Sequence, residues 1–138
     1  MKTSRLFLLY LSWVGSILAT IGSIIYSDLL LVPICPLCWY QRIAMYPLVV
    51  IYVVGILLKD KRSVYYALPL ILAGFFLSLY QVLLQAQIIP NLLAGCAIGI
   101  SCAEVTYRLF GLITIPQQAL LGFAALGFLN ILIIKLKD

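Results

Sequence analysis

The chain has no histidine, only four acidic residues, and charge on just 9% of its positions. The first absence removes imidazole base catalysis and mixed cysteine–histidine metal sites. It also removes c-type haem attachment, because Trp39 stands where a C-x-x-C-H motif needs histidine. No iron-binding cluster and no nucleotide-binding glycine fingerprint stands in for them. Scarce charge, set against 65% hydrophobic residues, fits neither an ordinary soluble domain nor a disordered segment.

Apolar sequence fills the chain instead, in runs long enough to cross a bilayer, which takes about 20 residues at 1.5 Å rise each. Spans are expected at roughly 6–26, 41–58, 64–84 and 117–135. Within 138 residues these leave room for short connections only. The expectation is therefore one integral membrane domain over 1–138, an all-α four-helix transmembrane bundle. A cleaved signal peptide is the rival for the first run, since Lys2 and Arg5 resemble its basic start. The run is too long for that, and no A-x-A-like site closes it.

A formal charge of +5 invites a nucleic-acid reading, but the placement of the charges argues against one. Lys2, Arg5, Lys59, Lys61, Arg62, Lys135 and Lys137 fall on one side of the spans, and only Arg42 and Arg108 on the other. This seven-to-two bias is the positive-inside pattern, with both termini cytoplasmic. Basicity here reports orientation, and no nucleic-acid partner is implied.

Along the chain, Gly15, Ala19 and Ser23 form a small face on helix 1, read as bundle packing. Ser27 to Ile34 makes a short outer connection. Helix 2 is expected to begin at Pro36, because proline at the first helical position loses no hydrogen bond. It runs to Leu58, with Pro47 a kink that neighbouring helices tolerate. Lys59 to Arg62 is the inner loop, and Gln81, Gln85 and Gln87 mark where helix 3 emerges into the outer headgroup region. The stretch from Ala86 to Ile115 is irregular. Within it Ser101-Cys102-Ala103-Glu104 matches a capping box, which predicts a short surface helix from Cys102 to about Phe110. Pro116 opens helix 4.

Four cysteines fall on the outer side in two pairs. The first pair opens the octet Cys35-Pro36-Leu37-Cys38-Trp39-Tyr40-Gln41-Arg42, at the start of helix 2. Unsatisfied amides and the helix dipole favour a thiolate there. The second pair, Cys96 and Cys102, lies in the glycine-containing outer loop. Three readings compete. An all-cysteine zinc site needs all four thiolates, but Cys96 and Cys102 stand six positions apart, outside the usual knuckle. A membrane thiol sensor belongs with that reading. Disulfide-stapled outer loops on a non-enzymatic protein are the main alternative. Against it, a C-x-x-C ring constrains the chain weakly, since loop-closure stabilisation grows with loop length.

The redox reading accounts for more of the sequence. Two dithiols on one membrane face can exchange through mixed disulfides, but net oxidation needs an outside electron acceptor. A lipid-soluble quinone suits a chain that lacks a conventional cofactor motif, because it enters from the bilayer. Arg42, four residues after Cys38 and on the same helix face, is a cation able to hold a quinone carbonyl. Its plainer role is an anchor snorkelling to the headgroups. Gln41 and Tyr46 are given ordinary packing roles. Trp39, Tyr40, Tyr107 and Tyr10 fit an aromatic belt.

The octet, four spans with an inside amino terminus, and a second outer pair before helix 4 resemble the DsbB family. The short Gram-positive branch typified by BdbC is the closer likeness, and it covers nearly the whole chain. The resemblance implies a bacterial cell-membrane thiol–disulfide oxidoreductase with redox-active disulfides Cys35–Cys38 and Cys96–Cys102. It would reoxidise a soluble extracytoplasmic thioredoxin-like oxidase (DsbA-like) and reduce the membrane quinone pool, menaquinone or ubiquinone. Cys38 would lie nearest the quinone with Arg42 its partner. Cys96 would meet the oxidase, and Cys102 would relay. Here only five residues separate Cys96 from Cys102, far fewer than in the best-known members.

Overall fold

The computed structural model describes residues 3–29, 36–86, 88, 108–109 and 113–136. Four helices account for nearly all of them: α1 (Thr3–Ile24), α2 (Pro36–Leu57), α3 (Ser63–Gln85) and α4 (Ile115–Lys135). Each has 21 to 23 residues. At 1.5 Å per residue that matches the roughly 30 Å hydrocarbon core of a bilayer. All four are apolar enough to cross a membrane. The protein is an all-α, multi-pass transmembrane bundle.

Helix ends follow local chemistry. Pro36 opens α2, with Cys38 in its first turn. At α4, the Gln117 side-chain carbonyl accepts from the Thr114 amide at 3.1 Å, satisfying one of the exposed donors of the first turn. Helix α1 does not stop near Tyr26. It widens into a π-helical turn over Ile25–Leu29, so Ser27 and Asp28 are helical rather than part of a loop. Between α2 and α3 the chain reverses within a few residues. Lys59 takes a φ of 51°, and Asp60 caps the turn by accepting from the Arg62 amide at 2.9 Å. Gly55 permits this, because a Cβ there would lie 2.5 Å from Ser63.

The surface helix expected from Cys102 to Phe110 is corrected at its far end. Arg108–Leu109 (β1) pairs antiparallel with Ile113–Thr114 (β2), Arg108 opposite Thr114, immediately before α4. An extended pair cannot also be helical, because its backbone hydrogen bonds run across and not along the chain. Residues 101–107, which hold the proposed capping box, lie outside the described residues.

Each helix packs on its sequence neighbours, and α1 closes the ring against α4 along the thinnest of the four seams. The core comprises Leu9, Met45, Leu48, Tyr52, Ile71, Phe123, Leu126 and Ile133, with Val64 and Ala67 completing the α3 face. Helices α3 and α4 approach closely at Gly74, where a Cβ would sit 2.2 Å from the Phe123 ring. Polar contacts inside the bundle cross between helices: the Tyr52 hydroxyl donates to Asn130 Oδ1 at 3.0 Å, and the Arg5 guanidinium donates to the Leu136 carbonyl. Such bonds hold membrane helices together where lipid offers no hydrophobic drive for association. The outward faces carry Phe7, Leu18, Ile43, Val50 and Phe128, as a lipid-facing surface requires.

Candidate functional site

Cys38 and Arg42 share one face of α2, as their spacing of four requires. Both line a cavity of about 390 Å³ bounded by α1, α2 and α4. Its walls are mostly apolar, with Leu18, Met45 and Phe123 prominent. Small residues make the space. Ala19, Gly22 and Ser23 on α1 face Ala119 and Gly122 on α4, so the thin seam between these helices stays partly open. The small face of helix 1 thus serves the cavity as much as the packing. At Gly15 a Cβ would meet only Leu126 at an ordinary 3.8 Å, whereas Ser12 and Ser16 are fully buried.

Arg42 is not spread out toward the headgroups. It is 9% exposed, donates through a terminal nitrogen to the Ser23 carbonyl at 2.7 Å, and lies 5.3 Å from the Trp39 ring centroid. The backbone of α1 and the indole face hold the cation in place without neutralising it, as a cation–π contact does. Arg42 is the one charged residue among the cavity's described walls. Tyr26 and Gln118 clasp the seam, the hydroxyl donating to Gln118 Oε1 at 2.9 Å. Trp39 and Tyr40 are both half exposed, as an aromatic belt demands.

Cys38 is half-buried and packs with Leu77 and Tyr80 around the buried pair Leu37 and Leu84, at the α2–α3 seam. One glutamine reaches it, held by a second. Gln81 Nε2 lies 3.5 Å from Cys38 Sγ, and Gln81 Oε1 accepts from Gln41 Nε2 at 2.7 Å. Polarity near the end of helix 3 made Gln81 a marker of emergence in the sequence; its side chain is only 2% exposed and turns into the bundle. It sits one turn deeper than Gln85, on the face of α3 that meets α2. Its helical register with buried Ser78 and Gly74 was the available signal. Cys35, Cys96 and Cys102 lie outside the described residues.

Comparisons with known proteins point to disulfide-bond formation. The family model described as "Disulfide bond formation protein DsbB" matches residues 4–133. A "Probable disulfide formation protein C 2" of Bacillus cereus is 41% identical over 89% of this chain and 88% of its own length. A "Probable disulfide formation protein" of Chlamydia muridarum is also 41% identical, over 99% of this chain and 98% of the relative. One of that description from Coxiella burnetii is 36% identical over 96% and 92%. No solved structure matches the chain significantly.

Proposed function

Because the chain belongs to the DsbB family and is a multi-pass membrane protein of disulfide-bond formation, we propose that it moves electrons from an extracytoplasmic thioredoxin-like thiol oxidase to the membrane quinone pool. The observation that carries this is one cavity, bounded by three helices, whose walls include both Cys38 and a buried arginine. Its volume of about 390 Å³ falls within the range of small-molecule sites, roughly 300–1,000 Å³. Apolar walls with one fixed cation suit a flat apolar ring with a polar edge.

Bound there, menaquinone or ubiquinone supplies an acceptor for two electrons and two protons. Arg42 would hold its carbonyl edge, and Met45 and Phe123 would flank the ring. Arg42 and Cys38 line the same cavity, so the cation and the sulfur would face one bound ring. Oxidation of the Cys35/Cys38 dithiol to a disulfide releases two electrons and two protons. The pair is returned to the dithiol by exchange with Cys96 and Cys102. In that order the partner's thiolate attacks Cys96, and Cys102 relays to the first pair. All four cysteines lie outside the cytoplasm in this reading, with both termini inside.

Purified protein supplied with a reduced thioredoxin-like oxidase and a quinone should reduce the quinone stoichiometrically with partner oxidation. A preparation that forms no mixed disulfide with the oxidase and leaves the quinone oxidised would instead be a stapled, non-enzymatic bundle.

A further inference from the structure

The electron path just proposed makes no use of the two buried glutamines beside Cys38. Gln41 on α2 is 6% exposed and Gln81 on α3 is 2% exposed, and they meet at 2.7 Å within the bundle. An amide has one donating and one accepting end, so its orientation is set by what it faces. Gln41 presents Nε2, a donor, and Gln81 must answer with Oε1. Both ends of the Gln81 amide lie near Cys38 Sγ, Oε1 at 3.7 Å and Nε2 at 3.5 Å. Oε1 is already taken up by the shorter bond from Gln41, which leaves Nε2 as the group that donates to the sulfur.

We propose that Gln81 is a positioning residue that stabilises Cys38 as the thiolate, with Gln41 fixing the amide orientation that does so. This rests on the reading of Cys38 as a redox-active thiol. A donor facing sulfur favours the charged form. Leu37, Leu84, Leu77 and Tyr80 pack around the contact, and apolar surroundings strengthen hydrogen bonds. The arrangement completes what the first turn of α2 begins, since the helix start already favours negative charge. The thiolate is the attacking species in exchange, and a stabilised thiolate is also the better leaving group. A merely structural clasp between α2 and α3 would need the Gln41–Gln81 bond but not the donor to sulfur.

The test uses the full chain with Cys35, Cys96 and Cys102 replaced by serine, so that Cys38 is the single thiol. Iodoacetamide alkylation is followed across pH by mass spectrometry. Gln81→Met keeps the length and packing but removes the donor. The midpoint of the pH curve should move up by about one unit, the size expected of one hydrogen bond to a charged group. Gln81→Glu, near-isosteric but anionic, should move it further in the same direction. Gln41→Met should move it less, because Gln81 keeps its donor but loses its anchor. An unchanged midpoint in Gln81→Met overturns the proposal. If that variant does not fold, unchanged midpoints in Gln81→Glu and Gln41→Met overturn it equally. Alkylation needs neither quinone nor partner, so failure here is distinct from a wild-type protein that fails to reduce quinone.

Discussion

Gly74 leaves α3 without a side chain where the ring of Phe123 from α4 fills the space. Gly74→Ala should therefore destabilise the bundle by about 1–3 kcal/mol, the usual cost of overpacking a close contact. Thermal unfolding in detergent would read this, and Phe123→Leu in the same chain should recover part of the loss. Arg42 acts at the same scale but on chemistry. Arg42→Ala should impair quinone reduction while leaving disulfide exchange with the partner intact. Arg42→Lys should recover part of the rate, because lysine keeps the charge and loses the planar fork of donors. Steady-state assays against quinone and against the oxidase separate the two steps. Equal rates in the alanine variant and the wild type would leave Arg42 as an anchor only.

Helices α1 and α4 supply the cavity through what they omit. Beyond the backbone of its own helix and its chain neighbours, no atom lies within 4 Å of a Cβ built at Gly122, so a side chain there enters open space. Gly122→Leu should fold normally yet raise the KM for quinone severalfold, with exchange against the oxidase unchanged. An unaltered KM would remove this cavity from the path. Helix number and the start of α2 were legible because long apolar runs and Pro36 are one-dimensional signals. The Cys38–Arg42 face was legible because a spacing of four is a helical neighbour relation. The cavity was not, since Ala19, Gly22, Ala119 and Gly122 acquire meaning only when two distant helices meet. The burial of Gln81 was not legible, because polarity near a helix end suggests exposure and only the α2–α3 contact shows it buried. The end of the expected surface helix was misjudged at Arg108 and Leu109, where pairing with Ile113 and Thr114 overrides a local cap.

Across the whole molecule, the proposed orientation rests on the seven-to-two distribution of basic residues. Membrane-impermeant thiol reagents should label reduced cysteines on intact cells, and labelling only after lysis would reverse the topology. The partly open seam between α1 and α4 has a consequence for how the protein meets its acceptor. Leu18, one wall of the cavity, is 64% exposed on the face that meets lipid. Acyl chains are therefore the native competitors for this space, present in vast excess over any quinone. Under the proposed reading, turnover depends on the mole fraction of quinone in the bilayer and not on its concentration in the sample. Diluting proteoliposomes tenfold with buffer should leave the turnover number unchanged, whereas fusing them with quinone-free vesicles should lower it. The bilayer is then both solvent and inhibitor.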